Sequence, residues 1–85
     1  MTEQATVNVR FFATLKERAG VEHHSLSLEP GTTVAQFKSR LREDLPGLPE
    51  GGSGMLVAIG KDYAFDHEEI PGGVDIAVFP PVSGG

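Results

Sequence analysis

The seven C-terminal residues, FPPVSGG, hold the group in this sequence that is best placed to do chemistry. Gly84 and Gly85 lack a Cβ atom, so a tail that ends in them can pass through a narrow channel on another protein. The carboxylate of Gly85 would then meet a buried reagent. A resting carboxylate is a poor electrophile and needs activation, for example by ATP to an acyl-adenylate that sulfur or an amine attacks. We therefore predict that Gly85 is the reactive residue, with an inert, frayed terminus as the alternative.

The residues before the two glycines predict how this tail leaves the folded part of the chain. Two prolines fix φ and favour an extended backbone. From the first proline onward, six extended residues span at most ~20 Å, which is enough to enter a deep pocket. We accordingly divide the sequence into a domain at 1–79 and a flexible tail at 80–85. The tail residues that precede the glycines are Pro80, Pro81, Val82 and Ser83.

Composition limits the class of protein and of partner. The chain has 85 residues, of which 39% are apolar and 22% charged, as in one small globular domain. It has no cysteine, so any sulfur chemistry must use sulfur that the side chains do not supply. A net charge of −5 argues against nucleic acid as the main partner. No signal-peptide pattern and no apolar run of ~20 residues is present, so we expect a cytoplasmic protein without a membrane partner.

Hydrophobic periodicity predicts the elements that must position the tail. Alternation with a period of two predicts strands at 6–12, 24–28 and 74–79, with shorter strands at 55–59 and 63–65. A short helical turn is expected at 13–20. A Thr33–Gln36 capping box, followed by apolar residues at helical spacing, predicts the one main helix.

This order of elements predicts the fold class. Strand, strand, helix and then two or three short strands indicate an α+β roll, a mixed sheet of four to five strands with the helix packed on one face. The β-grasp (ubiquitin-like) arrangement fits, with the first and last strands adjacent and parallel at the centre.

Two phenylalanines fall on the face of the sheet that should be turned away from the core. Val7, Val9 and Phe11 form the core-facing set of the first strand, so Phe12 points the other way. The same alternation places Phe79 on the outer face at the end of the last strand. If the two strands are parallel neighbours, the rings lie close together and form a binding patch at the root of the tail. Burial of a ring over the sheet edge, or beneath a loop, is the alternative.

The terminal motif resembles that of the MoaD family, the small sulfur-carrier subunits of molybdopterin synthase within the ubiquitin-like ThiS/MoaD superfamily. The opening VNVRFFATLKERAG is similar to the start of that family, and Phe65-Asp66-His67 is similar to a segment that many members carry. The resemblance covers nearly the whole chain, and FPPVSGG is its most specific part.

This resemblance implies a defined reaction cycle. An E1-like adenylating enzyme of the MoeB type would use ATP and a sulfur donor to turn the carboxylate of Gly85 into a thiocarboxylate, with Gly84 as the spacer. The tail would enter a MoaE-like large subunit, in a heterotetramer, and donate sulfur to a pterin precursor in molybdenum cofactor biosynthesis. Phe12 and Phe79 match hydrophobic contact positions for the partner. The chain would be a non-catalytic, sulfur-donating subunit that binds no cofactor or metal itself.

Three other functions remain open from the residues. The same Gly85 chemistry could attach the chain to a lysine amine, as a ubiquitin-like protein modifier does. The sulfur could serve another pathway, such as thiazole or cysteine synthesis or tRNA thiolation. A ubiquitin-like binding module with an inert tail is the third.

Several other polar residues are predicted to have no chemical role. His23 and His24 are neighbours on a strand, so they point to opposite faces and do not form a metal site. Asp66-His67 is expected to shape a turn, and Gly51–Gly54 lacks the Gly-Lys-Ser/Thr ending of a phosphate loop. We expect three cations to form a solvated face of the main helix: Lys38, Arg40 and Arg42.

Overall fold

The computed structural model of the protein describes residues 4–49 and 54–81. The strands and helices within these two ranges are, in chain order, β1 (Ala5–Phe11), α1 (Thr14–Ala19), β2 (His23–Leu28), α2 (Val34–Asp44), β3 (Leu56–Ile59), β4 (Asp62–Ala64) and β5 (Asp75–Phe79). The strands form a sheet in the order β2-β1-β5-β3-β4.

The pairing of β1 with β5 is the feature of the sheet that positions the tail. These two strands are parallel neighbours near its centre, with Phe11 opposite Val78. The remaining pairs, β1–β2, β3–β5 and β3–β4, are antiparallel. The predicted α+β roll, with first and last strands parallel at the centre, is confirmed.

The core lies between the inner face of the sheet and α2. The strands β1, β2, β3 and β5 contribute alternate apolar residues, and Val34, Phe37 and Leu41 of α2 are fully buried against them. Burying an aliphatic or aromatic side chain of this size contributes roughly 1.5–3 kcal/mol. The helix begins with the predicted capping box, in which Thr33 Oγ1 accepts a hydrogen bond from the Gln36 amide and Gln36 Oε1 accepts one from the Thr33 amide. Among residues 4–49 and 54–81, no helix covers the other face of the sheet.

The strand predicted at 63–65 ends one residue early, at Ala64. The amide of Phe65 donates a hydrogen bond to the Glu68 carboxylate at 2.5 Å, so it does not continue the ladder with β3. The segment that follows turns back to the start of α2. There the carbonyls of Glu68 and Asp66 accept hydrogen bonds from Val34 and Ala35.

The prediction that Lys38 lies on a solvated helix face is wrong. Its side chain is only 7% exposed, and its Nζ atom lies 2.8 Å from Oδ1 of Asp66. The segment after β4 covers this side of α2, so the aliphatic part of the lysine is buried while its ammonium group reaches the carboxylate. Arg40 is exposed, as expected, and Arg42 is half-buried. Asp66 therefore ties the turn after β4 to the main helix.

Removing this carboxylate should cost stability. We expect Asp66→Ala to lower the free energy of unfolding by about 1–3 kcal/mol, because the largely buried ammonium group of Lys38 loses its contact with this carboxylate. Lys38→Met should cost less than about 1 kcal/mol, because the half-exposed Asp66 stays hydrated and methionine refills the lysine's volume. Urea unfolding of the two variants measures the difference. Equal losses would show that the ion pair is no more than a packing contact.

Candidate functional site

The outer face of the sheet brings Phe12 and Phe79 together. Phe12 follows directly after β1, and its amide donates a hydrogen bond to the Val78 carbonyl at 3.1 Å. This bond continues the parallel register of β1 and β5 by one residue. The two phenylalanines are therefore neighbours at the same end of adjacent strands, on the face opposite the core.

The two rings are stacked. Their centroids are 4.7 Å apart and their planes differ by 15°, and both side chains are half-buried. Stacked aromatic pairs contribute about 0.5–1.5 kcal/mol beyond the area they bury. The predicted proximity of the rings on the outer face is confirmed. Their role in binding a partner stays a prediction.

Tyr63 extends this pair into a larger apolar surface. Its ring meets that of Phe79 edge to face, with a centroid distance of 6.4 Å, and the residue is 62% exposed. We call Phe12, Phe79 and Tyr63 the aromatic cluster. Sequence reasoning missed Tyr63 because pairing of β4 with β3, opposite Ala58, is what places it on this face. No local signal in so short a strand gives that register.

Arg10 borders the aromatic cluster on β1. Its Cζ atom lies 5.1 Å from the centroid of the Phe12 ring, a cation–π distance. The alternation that places Phe12 on the outer face places Arg10 there as well, so this residue could have been found from the sequence. The surface at the tail root therefore combines two half-buried aromatic rings and one exposed ring with a positive charge at its edge.

The start of the tail is visible beside a second apolar surface. Pro80 is half-buried and Pro81 is exposed. Pro81 borders a groove formed with Met55, Leu56 and Phe65, beside the end of β4. The chain thus leaves the sheet between this groove and the aromatic cluster.

The four predicted tail residues after Pro81 lie outside the described residues, namely Val82, Ser83, Gly84 and Gly85. The division into a domain at 1–79 and a tail at 80–85 stays a prediction, as does the reactivity of Gly85.

The histidines have contacts of their own. His24 Nε2 lies 3.1 Å from Oδ2 of Asp44, at the end of α2, whereas His23 faces Glu22 at 3.5 Å. Within 4–49 and 54–81, no three histidine or acidic side chains are grouped so that they could hold a metal ion. The ring of His67 stacks on that of Phe65 with a centroid distance of 6.2 Å, and Asp66 accepts a hydrogen bond from Lys38. Asp66 and His67 therefore do not form an acid–base pair with each other.

No helix in the described part of the chain has both the length and the apolar character needed to span a membrane.

The chain is similar to known proteins in both sequence and structure. A model of the ThiS family matches residues 9–85. The molybdopterin synthase sulfur carrier subunit of Arabidopsis thaliana is 29% identical over 99% of this chain and 88% of its own length. The protein of the same description from Homo sapiens is 27% identical, with both chains covered in full. Among solved structures, small archaeal modifier protein 1 of H. volcanii superposes with a TM-score of 0.79 at 26% identity, covering 92% of this chain and 99% of that one.

Proposed function

The chain belongs to the ThiS family, and we propose that within it the protein is the small, sulfur-carrying subunit of a molybdopterin synthase. Two relatives described as molybdopterin synthase sulfur carrier subunits align with nearly all of its length. The observation that carries the proposal is the stacking of Phe12 on Phe79 at the root of the tail. A half-buried aromatic pair beside the tail root, extended by the exposed ring of Tyr63, provides a surface that can hold a partner while the tail enters it.

The proposed chemistry takes place on the carboxylate of Gly85. A carboxylate oxygen attacks the α-phosphate of ATP in the active site of an E1-like enzyme, and pyrophosphate leaves. A hydrosulfide-equivalent sulfur then attacks the acyl carbon, AMP leaves, and a thiocarboxylate remains. Inside the large subunit the thiocarboxylate sulfur attacks a carbon of the pterin precursor, and an oxygen substituent leaves that carbon. Water then cleaves the acyl–sulfur bond and returns the carboxylate. Two such transfers, from two chains, supply the two sulfurs of one dithiolene. We place the general acids, general bases and cofactors for these steps on the partner proteins.

Reconstitution of the synthase tests this proposal. We expect the thiocarboxylated chain, mixed with a MoaE-like large subunit and the sulfur-free pterin precursor, to lose its sulfur and produce a dithiolene. The same mixture without the large subunit should keep the thiocarboxylate. A stable complex that transfers no sulfur to the pterin would contradict the proposal.

A protein modifier is the second candidate, because a solved structure similar to this chain is called a small archaeal modifier protein. A modifier would use the same activated Gly85, with a lysine amine as the acceptor. A modifier would form a covalent conjugate with its target protein. This conjugate has a higher mass, withstands denaturant and disappears when the target lysine is replaced. Sulfur transfer to a pterin without such conjugates separates the two functions.

A further inference from the structure

Arg10 lies at the edge of the aromatic cluster, and the proposed function assigns it no role. Its side chain is 56% exposed. The guanidinium lies over the ring of Phe12, with Cζ 5.1 Å from the ring centroid. Stacking of this kind restricts the arginine side chain while its N–H groups stay available at the edge of the guanidinium plane. The group is therefore held in place before any partner arrives.

The charge around Arg10 is only partly balanced within the chain. Glu22 is its ion-pair partner, at 4.0 Å, but Oε2 of the same carboxylate lies closer to Nζ of Lys16, at 3.5 Å. The ring of His23 is also near this carboxylate, at 3.5 Å from Oε1. One carboxylate thus serves two permanent cations, while Asp75, which lines the same part of the outer face, accepts a hydrogen bond from Asn8 Nδ2 at 3.4 Å.

We propose that Arg10 is a specificity-determining contact residue, whose guanidinium pairs with a carboxylate on the surface of the large subunit that covers the aromatic cluster. This inference rests on the proposed function. Glu22 keeps Lys16 as its partner when Arg10 pairs with the incoming carboxylate, so loss of the 4.0 Å contact between Arg10 and Glu22 costs little. Apolar contact around the pair excludes water, which strengthens it relative to an exposed ion pair. An acidic residue on the large subunit thereby sets the orientation in which the two proteins meet.

Charge reversal with a matched control tests this role. Arg10→Glu and Arg40→Glu change the net charge equally, but Arg40 is exposed on α2, which covers the opposite face of the sheet. We expect Arg10→Glu to slow association with the large subunit about 10-fold or more and to flatten its dependence on salt. Arg40→Glu should change the association rate by less than about 2-fold. Arg10→Lys should recover part of the rate, since it restores the charge without the planar donors.

The outcomes separate this inference from the proposed function. Slower association of the Arg10→Glu variant than of the Arg40→Glu variant supports a carboxylate opposite Arg10. Equal effects, or no effect of Arg10→Glu on a wild-type complex that forms normally, overturn the inference and leave the proposed function intact. Failure of the wild-type chain to bind the large subunit overturns both. Urea unfolding of each variant confirms that the compared proteins are folded.

Discussion

Adding one alanine after Gly85, or deleting Gly85, is expected to lower molybdopterin formation at least ~100-fold. One residue moves the terminal carbonyl carbon by about 3.5 Å along an extended tail. Both active sites that the proposed cycle requires must hold that carbon against a reagent, and errors of about 1 Å already cost on the order of 100-fold in rate. The measurement is the initial rate of dithiolene formation in a mixture of the chain, the activating enzyme, ATP, a sulfur donor, the large subunit and the precursor.

An alanine added at the N-terminus is the matched control for this experiment. It changes the length of the chain equally but leaves the tail untouched, so the rate should stay within about 2-fold of the original. Comparable rates for the wild-type chain and both C-terminal variants would contradict the assignment of Gly85 as the reactive residue. They would favour a binding module with an inert tail.

The second large effect is expected from the aromatic cluster. Phe12→Ala and Phe79→Ala should each weaken binding of the large subunit by about 2–4 kcal/mol, or roughly 30- to 1,000-fold in the dissociation constant. Each variant removes a ring that the partner would cover and also deprives the other ring of its stacking neighbour at 4.7 Å. Because the rings touch, the double variant should lose less than the sum of the single losses. Isothermal titration of the large subunit measures all three constants.

Phe65→Ala is the control for these substitutions. Phe65 is 67% exposed, but its ring stacks on His67 and is no part of the aromatic cluster. We expect it to change the dissociation constant by less than about 3-fold. Similar losses for Phe65→Ala and Phe79→Ala would show that binding responds to any exposed ring. A normal constant for both Phe12→Ala and Phe79→Ala would remove the cluster from the interface.

Much of the fold could be predicted because its signals are local. Alternating residues in β1 and β5 mark their inner faces, and the Thr33–Gln36 capping box marks the start of α2. The position of Phe12 beside Phe79 needed one further assumption, that the strands are parallel neighbours. The parallel pairing of β1 with β5 confirms this assumption. The candidate site was predictable to this extent because both rings follow directly from strand alternation.

The remaining features depend on contacts between distant parts of the chain. Helical periodicity places Lys38 on the solvent-exposed side of α2. The segment after β4 nevertheless covers its side chain and supplies Asp66 as an ion-pair partner. Tyr63 joins the aromatic cluster through the register of the three-residue strand β4, which no sequence pattern sets. The end of β4 at Ala64 likewise follows from a side-chain hydrogen bond of Glu68 to the Phe65 amide. Interactions of this kind cannot be read from the periodicity of a single segment.

The central claim, that Gly85 carries sulfur, is tested most directly by the intact mass of the chain after incubation with ATP, an E1-like activating enzyme and a sulfur donor. Exchange of one carboxylate oxygen for sulfur adds about 16 mass units, and we predict this gain for the wild-type chain and its absence when Gly85 is deleted. An active carrier protein in the same tube confirms that the enzyme and the donor work. An unchanged wild-type mass beside a converted control would contradict the claim.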